Sequence, residues 1–405
     1  MCVPCIPGGR ISRSPYPRNR PAVVHPRTPK DKKFLSPPAP PEGLRPGGER
    51  TIMERNNVPV GTKERREGRG TVPRPGEMKL FAYAVREFDE KPLFDKWCAK
   101  LGVEFAYSTE YPTPENIELA RGYDAISTTP YALGPEAIRR FHELGVKYLG
   151  ARAIGFDHFD LPTAKELGMP VTHVFYPPSG VANYAIMLML MCCRKMRQIL
   201  DRNVVQDYTL EGKMGRELSN STVAVLGTGK IGSTVIRHLS GFGCRMLAYD
   251  LYQNPEVAQL AEYADLETIW READIITLHM PANPEDHHII NRENLSKMKD
   301  GVILINTARG DLIDTAALIE AIESRKVGAA ALDVLEQESG LYYADLKTVP
   351  IPNHDLALLK AFPNVIVTPH TAFYTEEAVE HMVAGTVKGL LACEQGGENP
   401  YLVQG

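Results

Sequence analysis

Val223-Ala-Val-Leu-Gly-Thr-Gly-Lys-Ile-Gly232 runs an apolar strand straight into a glycine triplet, Gly227-x-Gly229-x-x-Gly232. In such a turn each glycine has its own task. The first makes the tight bend, the second lets backbone N–H groups approach a pyrophosphate, and the third lets the next helix pack on the strand. That helix, expected over Ser233–Gly241, points its positive end at the phosphates. A second apolar run, Cys244-Arg-Met-Leu-Ala-Tyr-Asp250, closes on an acid about 20 residues further on. A carboxylate there accepts hydrogen bonds from the adenosine ribose and repels a 2′-phosphate, so NAD is expected rather than NADP. A lone glycine triplet also occurs as a plain turn in other α/β domains. Strand, glycines, helix, strand and acid in this order are far more specific. The cofactor-binding residues expected here are Gly227, Thr228, Gly229, Lys230, Ile231, Gly232 and Asp250.

On either side of this stretch the chain alternates strands and helices. Strands are expected at 79–84, 125–127, 147–149 and 171–173, and again at 222–226, 245–250, 275–279, 302–306, 329–333 and 365–368. Between them fall helical stretches around 92–101, 135–143 and 163–166, a long helix over 181–200, and a last helix over 375–394 that returns to the first half. The alternation predicts an α/β fold of two doubly wound parallel-sheet domains with the site in the cleft between them. The expected boundaries are 78–177 with 373–405 for a substrate domain, and 178–372 for a Rossmann domain that binds NAD.

Residues 1–77 differ in kind. They are rich in Pro, Arg and Gly, lack apolar periodicity and read as a disordered leader. They carry 16 Lys+Arg against 7 Asp+Glu, whereas residues 78–405 carry 30 against 43, within a net charge of −4. The change at Met78-Lys-Leu-Phe-Ala-Tyr-Ala84 suggests that the native chain starts there; a functional basic tail is the other reading. An acidic body argues against nucleic acid as the main partner. The longest apolar run, Ala185–Cys193, is too short for a bilayer of about 30 Å, and no signal peptide is evident. Seven cysteines, an odd number set in apolar stretches, suit reduced thiols in a cytoplasm. Cys2-x-x-Cys5 has no second pair at zinc spacing, and His287 and His288 sit in a polar loop without metal-ligand company, so no metal is expected.

Three strand ends in the second half carry groups suited to hydride transfer. Ile305-Asn-Thr-Ala-Arg309-Gly310 ends a strand with a guanidinium that can grip a carboxylate and sit beside an oxygen gaining charge. Asp333-Val-Leu-Glu336-Gln-Glu338 places carboxylates past the next strand, and Thr368-Pro-His370-Thr-Ala-Phe-Tyr374 a histidine past a third. A histidine backed by a carboxylate holds a proton near neutral pH and can deliver it to an alkoxide. Singly, each reads as a surface arginine or a packed histidine; the set is what points to chemistry.

With these motifs the chain resembles the D-2-hydroxyacid dehydrogenases over residues 78–400, and within them the D-lactate dehydrogenase branch that includes the vancomycin-resistance enzymes. The motif His370-Thr-Ala-Phe-Tyr374 and the long 339–367 segment narrow the branch. The resemblance implies a flavodoxin-like substrate domain, and Arg309, Glu338 and His370 as the catalytic set. It implies that Ile154 and Gly155, in the loop Arg152-Ala-Ile-Gly155, bind the substrate carboxylate, with Tyr176 at the mouth and Phe373 as a wall. On the cofactor side it adds Met280, Pro281, Asp286, Thr307, Ala308 and Asp333, the last beside the nicotinamide amide. Ala153 and Pro177 stand where relatives carry polar side chains, which puts side-chain selection of the substrate in doubt. Tyr131 could line the pocket or only pack, and Met187, Met189 and Met191 are expected in core or at a twofold homodimer interface. The expected reaction is reduction of pyruvate to (R)-lactate, a fermentative activity. The alternatives are bulkier 2-keto acids of the isocaproate or phenylpyruvate type, or an NAD-sensing corepressor-like protein.

Overall fold

In the computed structural model the described residues are 78–403 other than Ser339 and Gly397. The leader expectation for residues 1–77, with Cys2 and Cys5, lies outside them. The first sheet is wholly parallel and built from β1 (Lys79–Ala82), β2 (Glu104–Tyr107), β3 (Ala125–Thr128), β4 (Tyr148–Ala151) and β5 (Val171–Thr172), in the order β2-β1-β3-β4-β5. This is the flavodoxin-like order, with its switch point between β1 and β3. Its connecting helices are α1 (Glu90–Leu101), α2 (Pro135–Glu143) and α3 (Leu161–Glu166).

The chain then crosses through α4 (Ser179–Cys193) and α5 (Met196–Val204). The single helix expected over 181–200 is broken at Arg194-Lys195, where Lys195 takes a left-handed φ of 52°. Nothing in the local pattern, neither Pro nor Gly, marks that break.

The second sheet holds seven parallel strands: β6 (Thr222–Leu226), β7 (Arg245–Tyr249), β8 (Glu262–Tyr263), β9 (Ile275–Leu278), β10 (Val302–Asn306), β11 (Val327–Leu332) and β12 (Val365–Val367). Their order is β12-β11-β10-β9-β6-β7-β8, so the winding reverses between β6 and β9. Open α/β sheets bind ligands outside the carboxyl ends of the strands at such a reversal. The glycine loop leaves β6 there. The helices are α6 (Lys230–Leu239), α7 (Leu266–Glu272), α8 (Arg292–Lys297), α9 (Thr315–Glu323), α10 (His354–Ala361) and α11 (Glu376–Gln395). Helix α6 starts at Lys230, earlier than the expected Ser233, because the extended Gly229 serves as its N-cap.

Helix α4 belongs to the nucleotide side: Ala182, Ala185, Ile186 and Met189 pack with Val225 of β6 and Ile236 of α6. Met189 is core and Met187 exposed. Helix α11 returns to the first sheet, where Val383, Val387 and Leu390 pack against Met78, Leu80, Ala82 and Ala125. Each buried Val, Leu or Met in this set contributes about 1.5–3 kcal/mol. The polypeptide therefore passes between the domains twice, near Tyr176 and near Phe373. Among the described residues Cys98, Cys192, Cys193, Cys244 and Cys393 are free. No helix there is long and apolar enough to cross a membrane.

Candidate active site

The glycine loop does three separable things. Gly227 bends left-handed at φ 90°, and an added Cβ would lie 2.6 Å from the His279 carbonyl carbon. At Gly232 a Cβ would overlap the Gly227 carbonyl oxygen, so helix and strand could not close up. Gly229 has neither reason: its φ is ordinary and a Cβ would meet nothing within 4 Å. Open space beside a bare backbone at a helix start suits a diphosphate. Asp250 closes the cradle, with Oδ2 accepting from the Thr228 N–H at 2.5 Å and from Thr228 Oγ1 at 3.0 Å. The buried Thr307 hydroxyl has no partner, which leaves a polar atom for a bound group to satisfy. These residues fit NAD. Lys230 Nζ sits 4.3 Å from the Phe175 ring centroid, tying the loop to the first crossing. Met280 follows β9 in the core, with Pro281 exposed after it. Asp286 lies in the exposed loop beyond, accepting from Asn283 Nδ2 at 3.1 Å.

Next along the edge, Asn306 at the end of β10 shapes the Thr307-Ala308-Arg309 turn. Its side chain accepts from the Ala308 N–H at 3.0 Å and donates to the Arg309 carbonyl at 2.8 Å. Gly310 is required because a Cβ would run into the Leu335 backbone. Arg309 thereby projects towards the loop after β4. A Cβ on Gly155 would overlap its Nη2, and Asp157 Oδ1 lies 3.6 Å from that atom.

Past β11, Asp333 is fully buried and its carboxylate holds the 368–372 loop. Oδ1 accepts from Thr368 Oγ1 at 2.6 Å and the Thr371 N–H at 2.9 Å, and Oδ2 from the Ala372 N–H at 2.8 Å. The residue expected beside the nicotinamide amide is thus the anchor of the histidine loop. His370 is held left-handed at φ 51°, its N–H donating to the Asp333 carbonyl at 2.7 Å. Its Nδ1 lies 2.6 Å from Glu338 Oε1, and Glu338 Oε2 accepts from the Leu335 N–H at 2.9 Å. Both side chains stay partly exposed. With Nδ1 on the carboxylate, Nε2 is the atom free to meet a substrate oxygen.

On the facing domain, Ile154 and Gly155 follow β4. Arg152 of that loop turns inward: fully buried, its Nε lies 2.9 Å from the buried Glu90 Oε1, and Nη2 donates to the Tyr83 and Ala84 carbonyls, each at 2.9 Å. It fixes the loop from inside the domain. Tyr176 and Phe373 pack at 6.5 Å between ring centroids, one on each crossing, and Phe373 lies edge-on to His370 at 6.4 Å. Burial pushes the Tyr176 hydroxyl up to about 12, against the lowering pull of Arg309. Tyr131 stacks on Tyr111 at 4.9 Å.

Glu90, Asn306, Tyr111 and Tyr343, whose hydroxyl donates to the His370 carbonyl at 2.7 Å, carry no local pattern. One expectation is corrected: His288 does have company, since Glu336 from the turn after β11 comes to 2.6 Å from its Nε2.

Residues 186–372 match the family model described as the NAD-binding domain of D-isomer specific 2-hydroxyacid dehydrogenases. An aromatic 2-oxoacid reductase of Clostridium sporogenes is 41% identical over 323 residues, spanning 79% of this chain and 97% of that protein. A D-lactate dehydrogenase of Lactobacillus delbrueckii subsp. bulgaricus is 37% identical over 324 residues, with the same shares. The NAD-complexed structure of a D-isomer specific 2-hydroxyacid dehydrogenase from that Lactobacillus superposes with a TM-score of 0.71 at 32% identity, covering 81% of this chain and 100% of its own. A glycine cradle fitted to NAD, an arginine, a carboxylate–histidine pair and relatives spanned almost end to end agree: the chain belongs to the NAD-dependent D-2-hydroxyacid dehydrogenases.

Proposed function

We propose that this enzyme reduces a 2-oxo acid to the (R)-2-hydroxy acid, with pyruvate to (R)-lactate as the first reaction. The observation that carries the reading is the His370 Nδ1–Glu338 Oε1 pair at 2.6 Å, on the same cleft edge as an Arg309 pressed against Gly155. Gly227–Gly232 would hold NADH, which would supply a hydride for C2 of the oxo acid. The Ile154 and Gly155 N–H groups and Arg309 hold the substrate carboxylate. His370, oriented by the Nδ1–Glu338 Oε1 contact, gives a proton from Nε2 to the C2 oxygen as that oxygen becomes a hydroxyl, and Arg309 stabilises the charge passing over it. Tyr176 and Phe373 exclude water from the mouth.

A second reading, an aryl 2-oxo acid, is favoured by the Tyr176–Phe373 and Tyr111–Tyr131 ring pairs and by the name of the Clostridium relative. Comparing kcat/KM for pyruvate, 2-ketoisocaproate and phenylpyruvate decides between them. His370→Ala should lower kcat by about 10²–10⁴-fold with the best of these. Near-normal turnover in that variant would refute the proton donor, and no turnover by the native enzyme with any of them would refute the reaction.

A homodimer is part of the same proposal. Met187 of α4, Leu200 and Val204 of α5, and Leu210 and Met214 beyond expose a run of apolar side chains. Exposed patches of this kind mark association surfaces. Light scattering should give twice the chain mass; a monomer at micromolar concentration would refute it.

A further inference from the structure

The turn after β11 carries two carboxylates that face two different histidines. Glu338 meets His370, and Glu336 Oε1 lies 2.6 Å from His288 Nε2. The proposed reaction has no use for the second pair, and that pair has a third member. The His287 ring stacks on His288 with centroids 3.8 Å apart. One ligand atom from each of His287, His288 and Glu336 lies within 4.8 Å of the other two. Two imidazoles and a carboxylate are the donor set that borderline dications take, with bonds of about 2.0–2.2 Å. Donors sharing such an ion stand closer together than this, so the cluster must tighten. The exposed His287 ring, at the solvent end of the loop, has the room to do so.

The rest of the cluster is held in place. Glu336 Oε2 accepts from the Thr315 N–H at 2.8 Å where α9 begins, leaving Oε1 to the histidines. The His288 N–H donates to the Asp311 carbonyl at 2.9 Å, and Asn291 Nδ2 donates to the His288 carbonyl at 3.0 Å. Outer bonds of this kind orient metal ligands.

We propose that His287, His288 and Glu336 form a binding site for one transition-metal dication of the Zn2+ class, with water in the remaining positions. The full chain, stripped with chelator, would be titrated with zinc chloride by calorimetry and with cobalt chloride by visible and near-ultraviolet absorption. One equivalent of zinc should bind. His287→Ala, which alters an exposed ring, should weaken it by about 10–100-fold or more. Glu336→Gln should weaken it too, with circular dichroism confirming that both variants fold. The cobalt spectrum should lack thiolate charge-transfer absorption. No one-equivalent binding, unchanged affinity in His287→Ala, or a thiolate band placing the ion on cysteines would each overturn the proposal.

Discussion

Gly155→Ala tests the placement of Arg309 more sharply than deleting the arginine does. Gly155 is not one of the left-handed glycines, so alanine costs no backbone strain there. Its Cβ would, however, overlap Arg309 Nη2 and fall 2.8 Å from Asp157 Oδ1. Reaching an ordinary contact of 3.4 Å requires the guanidinium to retreat by about 1 Å. The far end of an arginine moves easily, so the fold absorbs the change and the cost falls on catalysis. A misplacement of about 1 Å is worth about 10²-fold, so kcat/KM should drop by about 2.7 kcal/mol equivalent. Thermal stability should hold or rise slightly, since alanine restricts the unfolded chain. The assay is NADH oxidation under saturating cofactor, beside a melting curve. A kcat/KM within about threefold of the native value would mean that Arg309 does not work against this loop, and the carboxylate clamp would fall with it.

Two other predictions concern the cofactor and pH. Asp250→Ala removes the acceptor that Thr228 now occupies and that ribose hydroxyls are expected to share; kcat/KM with NADH should fall about 10–100-fold while NADPH use rises, and an unchanged ratio of the two would refute the role of Asp250. Burial lowers His158 from 6.5 to about 4, with Asp157 raising it and Arg309 lowering it; burial alone lowers His279 to about 3. Both are neutral when folded and take up protons on unfolding below about pH 6.5, so stability is full above that pH and is lost as pH falls toward about 4. Urea midpoints at about pH 7.5 and 5 should differ less in His158→Leu than in the native chain, and an equal difference in both would refute the assignment.

The nucleotide half was legible because its demands are local. The bend at Gly227, the closure at Gly232 and the bare approach at Gly229 lie within six residues, and Gly227 and Gly232 each exclude a side chain for a different reason. Asp265, Asn291, Asp314 and Asn353 cap α7, α8, α9 and α10 with equally local hydrogen bonds, a signal that strand periodicity alone passes over. Edge strands β2 and β8 escaped notice for the opposite reason: Glu104–Tyr107 has no fully buried residue and Glu262–Tyr263 is two residues long. The long-range partnerships were out of reach. Arg152 finds Glu90 across 62 residues and His288 finds Glu336 across 48, and no spacing rule foretells either.

The return of α11 to the first sheet sets an order of events during synthesis. Strands β1 to β4 leave the ribosome before the second sheet, yet the face formed by Leu80, Ala82 and Ala125 is covered by Val383, Val387 and Leu390 near the far end of the chain. At bacterial or eukaryotic elongation rates the gap between the two is roughly 10–50 s. The nucleotide-binding half is contiguous, so it can close its own core during that interval, while the older half waits with apolar surface bare. Chaperones and aggregation partners therefore meet the first sheet as an unfinished one, although it is made before the nucleotide half.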